Sequence, residues 1–165
     1  MLSLFLQESQ LYPYATSPHA AGIAQLGVET AVEQELQLPQ GPKYNVWMQT
    51  REKGLGKSAE NDARHKYTKA ISTIAQTKHS QEREYELPAL DERYNIECAI
   101  PAATAVMSVL LDKYHGNTER ALHAYNFGEG NLKKAQDTGQ KLPAETQTHA
   151  KKIIKLYEDL RISTF

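Results

Sequence analysis

Apolar residues recur at helical spacing along most of this chain. Ala103, Val106, Met107, Leu110, Leu111 and Tyr114 form one stripe of a core-facing helix. Gly116 and Asn117 end it. A second helix opens near Thr118 and carries Ala121, Leu122 and Tyr125, until "NFGEG" breaks it. A third follows Pro143, with Ala150, Ile153, Ile154, Tyr157 and Leu160 on one face. Leu2–Gln10 and Val28–Leu36 read as short helices. "LQLPQGPKYNVW" reads as a Pro/Gly loop. "KSAENDARHKYTKAISTIAQTKH" reads as a long helix with Ser58 as N-cap and a stripe of Ala63, Tyr67, Ala70, Ile71 and Ile74. No long alternating strand and no internal repeat is visible. The pattern predicts an all-α chain, α-rich α+β at most.

Composition narrows this picture only a little. The chain has 165 residues, enough for a real core and one domain over 1–165. A net charge of −1 gives no general case for nucleic acid or membrane binding. No apolar run approaches the roughly 20 residues of a membrane span, and "MLSLFL" lacks the basic start of a signal peptide. The one cysteine, Cys98, excludes an internal disulfide framework and reads as a small buried residue. Arg51, Lys53, Lys57, Arg64, Lys66, Lys69 and Lys78 gather on the long helix and its approaches. They form either a solvated face or a basic rim for a polyanion. The histidines, His19, His65, His79, His115, His123 and His149, show no metal-ligand spacing, and no phosphate loop is present. No metal and no cofactor is expected.

Four short segments carry the chemistry. Glu8-Ser9 closes the first apolar run. Gly22-Ile23-Ala24-Gln25 follows a polar loop. Ala124-Tyr125-Asn126 runs into glycines that let a ligand approach the main chain. Leu142-Pro143-Ala144-Glu145-Thr146 opens the last helix, where Glu145 favours the positive end of the dipole. Read alone, Glu8 is a solvated helix end, Gln25 a turn cap, Tyr125 a core residue and Glu145 a helix-start acid.

In their order and style, these segments resemble the lytic transglycosylase domain family, which is related in fold to goose-type lysozyme. The resemblance covers Leu4–Leu36 and about Tyr94–Leu160. It implies a lysozyme-like helical domain with a saccharide groove. It also implies cleavage of the β-1,4 bond between N-acetylmuramic acid and N-acetylglucosamine in peptidoglycan, leaving 1,6-anhydro ends. Cleavage needs a proton on the leaving oxygen, and a desolvated carboxyl group can hold one. The resemblance gives Glu8 that role, as acid first and base second, with the sugar's acetamido group assisting. By the same carry-over, Ser9, Gln25, Tyr125, Asn126, Glu145 and His149 contact substrate.

The chain departs from the family pattern in four places. Ala24 stands for a Met of the groove floor. His149 stands for a Tyr near the acid, and a charged imidazole there would weaken the acid. Only seven residues precede Glu8. Residues 37–87 stand where the family has a short link, as an inserted helical segment.

Two other readings compete. One is a weak or inactive wall-binding module of a phage or secretion assembly. The other is a hydrolytic muramidase, for which Glu29, Asp91, Glu97 and Glu129 are the second carboxylates to inspect. The expected partners are peptidoglycan strands and a larger phage particle or secretion or conjugation apparatus. Neither nucleic acid nor membrane insertion is expected. The expected location is the bacterial wall or periplasm, reached as part of a virion or secretion machine.

Overall fold

The computed structural model describes residues 1–78 and 86–162. His79 and the part of the 37–87 segment from 79 to 85 lie outside the described residues. Helices α1 (Leu2–Ser9), α2 (Val28–Glu33), α3 (Pro42–Glu52), α4 (Lys57–Thr77), α5 (Ile96–Lys113), α6 (Thr118–Phe127), α7 (Glu129–Thr138) and α8 (Ala144–Ile162) dominate. Residues 86–90 are also helical. Strands β1 (Ala20–Ala21) and β2 (Leu26–Gly27) pair antiparallel, with Ala20 opposite Gly27. The fold is thus the expected all-α class with one minimal hairpin. No described helix is long and apolar enough to cross a membrane.

The chain forms two compact units, one of residues 1–10 and 103–165, the other of residues 11–102. In the first, α8 packs against both α1 and α6, and α6 also packs against α7. Leu4 and Phe5 of α1 are buried, as are Met107, Leu110, Leu122, Leu132 and Ile153. The buried positions of α8, Thr146, His149, Ala150 and Ile153, are spaced to share one face. Tyr157 and Leu160 do not extend that face: they are 57% and 37% exposed. The last two turns of α8 carry apolar side chains into solvent.

In the second unit, α3 packs on α4. Its core is Val28, Ala31, Leu38, Trp47, Ala63, Tyr67 and Ile71. Trp47 stacks on Tyr67 with ring centres 5.4 Å apart, and Tyr44 meets both rings edge-on. Much of the expected loop over 36–47 is therefore helix. Pro42 sits at the first helical turn, where its missing N–H costs nothing, and the aromatic cluster draws α3 onto α4. Ser58 is not the N-cap of α4: the helix begins one residue earlier, after Gly56. Ile74 is exposed, Cys98 is only partly buried, and α2 stops at Glu33 rather than Leu36.

A buried ion pair organises the rest of this unit. Arg93 donates from Nε to Asp91 Oδ1 at 2.9 Å and from Nη2 to Oδ2 at 2.6 Å. Its Nη1 reaches the Leu26 carbonyl at 3.2 Å. Both side chains are nearly inaccessible, so each charge is matched and hydrogen-bonded, as burial requires. The Arg93 backbone also fixes Gly22. That glycine has φ +78°, and a Cβ there would sit 1.7 Å from the Arg93 carbonyl oxygen. Gly22→Ala therefore combines an unfavourable backbone conformation with a backbone clash. It should lower unfolding free energy by more than ~2 kcal/mol, read from urea unfolding of wild type and variant side by side.

Candidate functional site

Glu8 occupies the last turn of α1, a helix closed by Gln10 in the left-handed region. Leu4 and Phe5 on the preceding turn face the core, and the α1 backbone carries the Glu8 side chain into the same unit. Its side chain is 11% exposed. His149 of α8, 9% exposed, brings Nε2 to 3.1 Å from Glu8 Oε1. The approach is close but off the hydrogen-bond line. Glu8 Oε1 and both ring nitrogens of His149 are buried without a hydrogen-bond partner among the described residues. Such atoms are costly to leave unmatched, so this is a place built for an incoming donor or acceptor.

Tyr125 of α6 completes the cluster. Burial pushes its phenol above the ordinary range, and the Glu8 carboxylate adds to the effect. The hydroxyl thus stays protonated and remains a donor at working pH. Asn126 follows it and is exposed. Ser9 Oγ donates to the Phe5 carbonyl at 3.2 Å. Glu145 lies exposed in the first turn of α8. With Gln7, Thr148, His149 and Lys152 it lines a cavity of about 350 Å³. The structure therefore brings Glu8, Tyr125 and His149 together, and places Glu145 on a cavity that His149 also lines.

Gln25 belongs to the other unit. Its Nε2 donates to the Ala15 and Gly22 carbonyls at 3.1 and 3.0 Å, and its φ is +46°. The amide nitrogen is committed to bracing the hairpin turn. Ala24 beside it is fully buried, so that position serves packing.

Sequence reasoning missed one residue here. His123 of α6 is buried, and its Nε2 has no hydrogen-bond partner among the described residues. Burial lowers its proton affinity; Glu119 opposes this and His149 reinforces it. The signal was available, because His123 lies two residues before Tyr125 and among buried Ala121, Leu122 and Ala124. A histidine held neutral in the fold but free to charge when unfolded makes the unfolded state bind more protons below the ordinary value of 6.5. Stability should therefore fall as pH drops below that value. The drop in thermal midpoint between pH 7.5 and 5 should be smaller in His123→Leu than in wild type.

The break after Tyr125-Asn126 is also narrower than the glycines suggested. Only Gly128, with φ +83°, separates α6 from α7, and Gly130 lies inside α7. Asn131 Nδ2 donates back to the Phe127 carbonyl at 2.9 Å and secures the corner.

No group of three or more metal-ligating side chains converges among the described residues. No solved structure matches the chain. The family model described as the transglycosylase SLT domain matches residues 70–148. Tyr125, Asn126 and Glu145 fall inside the match, His149 stands one residue past it, and Glu8, Ser9 and Gln25 precede it. Residues 70–148 are thus similar to the transglycosylase SLT domain of the lytic transglycosylase family, a domain that points in general to lytic cleavage of peptidoglycan.

Proposed function

We propose that the chain cleaves the bond between N-acetylmuramic acid and N-acetylglucosamine, leaving 1,6-anhydromuramic ends, with Glu8 as the proton-transferring group. The observation that carries this reading is the enclosed Glu8 carboxyl group, 3.1 Å from His149 and beside the protonated Tyr125 hydroxyl. As an acid, Glu8 gives its proton to the leaving oxygen while the acetamido group of the muramic sugar stabilises the anomeric carbon. As a carboxylate, it then takes the proton of the muramic 6-hydroxyl, whose oxygen closes the anhydro ring. Protons balance over the two steps and no water is consumed. Tyr125 donates to the carboxylate form or to a sugar oxygen. Asn126 and Glu145 offer an amide and a carboxylate to the glycan.

Three of the four carboxylates considered for hydrolysis have other partners. Glu29 pairs with Arg64, Asp91 with Arg93, and Glu129 with Lys113 at 2.5 Å. Glu97 is exposed in the first turn of α5. These pairings favour the route without a second carboxylate over a muramidase. Peptidoglycan cleavage puts the working protein at the bacterial wall, and delivery by a virion or secretion machine is the route we favour.

The decisive measurement is mass spectrometry of fragments released from purified peptidoglycan. Wild type should release fragments one water lighter than hydrolysis products, and Glu8→Gln should lower release by about 10²–10⁴-fold. Ordinary reducing ends would instead establish hydrolysis. Unchanged release by Glu8→Gln would remove Glu8 from the mechanism.

His149 Nε2 lies 3.1 Å from Glu8 Oε1, so its replacement should change the rate of the proton-transfer steps. His149→Ala should lower the initial rate of fragment release while leaving the released ends the same. An unchanged rate in the variant would mean that His149 does not act on Glu8.

A further inference from the structure

The unit of residues 11–102 contains a cavity of about 650 Å³, within the ~300–1,000 Å³ range of small-molecule sites. Its lining includes His19, Glu29, Asn61, Arg64, His65 and Thr68. All of these precede the matched residues 70–148, and four of them come from α4. We infer that this cavity is a second saccharide-binding site, taking an uncharged stretch of N-acetylated glycan. The choice of glycan rests on the peptidoglycan reading above.

The chemistry of the lining selects this ligand class. Arg64 is ion-paired with Glu29 and donates from Nη2 to Asn61 Oδ1 at 3.1 Å. The three side chains hold one another in place, and each keeps capacity in reserve. Guanidinium has five donors, carboxylate about four lone-pair sites, and the Asn61 amide nitrogen two donors. Fixed donors and acceptors side by side suit hydroxyl and acetamido groups, which both give and accept. The His19 and His65 rings, 6.4 Å apart and tilted by 38°, add two flat faces.

Other ligand classes fit less well. An anion would meet an arginine already neutralised by Glu29, and the nearby Lys66 is paired with Asp62 at 2.7 Å. Of the basic rim, Arg64, Lys66 and Lys78 are paired with Glu29, Asp62 and Glu86. A metal ion finds no converging ligand set among the described residues. A zwitterionic peptide end would have to break the Glu29–Arg64 pair, whereas a neutral sugar leaves it intact.

Histidine-ring NMR of the full chain tests this directly. His19 and His65 report on the cavity, while His123 and His149 report on the Glu8 cluster. Signals are assigned with His19→Gln and His65→Gln. The probe is the N-acetylglucosamine tetramer, with inorganic phosphate as control. Expected are saturable shifts of both His19 and His65, in wild type and Glu8→Gln alike, with an affinity insensitive to added salt. Asn61→Ala, an exposed position that spares the core, should weaken the response about fivefold.

Tetramer shifts confined to His123 and His149, or no shift of His19 and His65, would overturn the inference. So would a stronger, salt-sensitive response to phosphate. The readout needs no turnover. A chain that fails to cleave peptidoglycan yet shows the ring shifts retains the second site and loses only the proposed reaction.

Discussion

The enclosed contact between Glu8 and His149 is the constraint on which the first unit turns. An eight-residue helix such as α1 has little stability of its own. Its carboxylate is therefore only as well placed as the helix it packs on, which is α8. The buried positions of α8 run Thr146, His149, Ala150 and Ile153, so the imidazole sits within the packing stripe rather than on a loop. Helix α6 docks on the same α8 and delivers Tyr125 and His123. One helix thus supports the carboxylate, contributes the imidazole and receives the phenol-bearing helix. Side chains mounted on packed helices hold their geometry more tightly than loop residues do.

The second unit is organised by a different device. Arg93 uses its side chain on Asp91 and the Leu26 carbonyl, and its own carbonyl closes over Gly22. The hairpin of Ala20–Gly27 is thereby fixed from one residue. This changes the meaning of the glycine in "GIAQ". It is required by the approach of the Arg93 backbone, whatever a sugar does nearby. Gln25 follows the same logic, because its amide nitrogen adds a second hydrogen bond to the Ala15 and Gly22 carbonyls, which already accept from the Gly22 and Gln25 backbone N–H groups.

The helices of the first unit were largely legible because their apolar periodicity is strong and their stops are explicit. Asn117 caps α6 by accepting from the Arg120 N–H at 3.0 Å, at the break that Gly116 and Asn117 mark in the sequence. Helix α7 was hidden because "GEGN" resembles a loop, while Leu132 and Ala135 supply its only buried contacts. Helix α3 was hidden because Pro and Gly dominate its start, and Trp47 packs against residues 20 positions away, beyond any local window. The start of α5 was hidden by Pro101, which lies inside the helix. Asn95 Oδ1 accepts from the Glu97 N–H at 3.0 Å and lets the helix begin before the proline. At the site, the motif singled out Glu8, whereas His123 offered only its nearness to Tyr125 as a signal.

The imidazole at position 149 gives the site a group different in kind from its phenol. A phenol is a donor at every pH near neutrality, and Tyr125 already fills that role. An imidazole can accept, donate or carry charge. Its buried nitrogens here have no hydrogen-bond partner among the described residues, so its hydrogen bonding follows whatever enters the site. His123, also buried nearby, opposes a second positive charge. Two imidazoles and one carboxylate in one enclosed volume cannot all ionise independently. Protonating His149 favours an ionised Glu8, and protonating Glu8 favours a neutral His149. The acid step needs the second of these states, so the imidazole that shares the enclosed volume is part of the condition under which Glu8 can give up a proton.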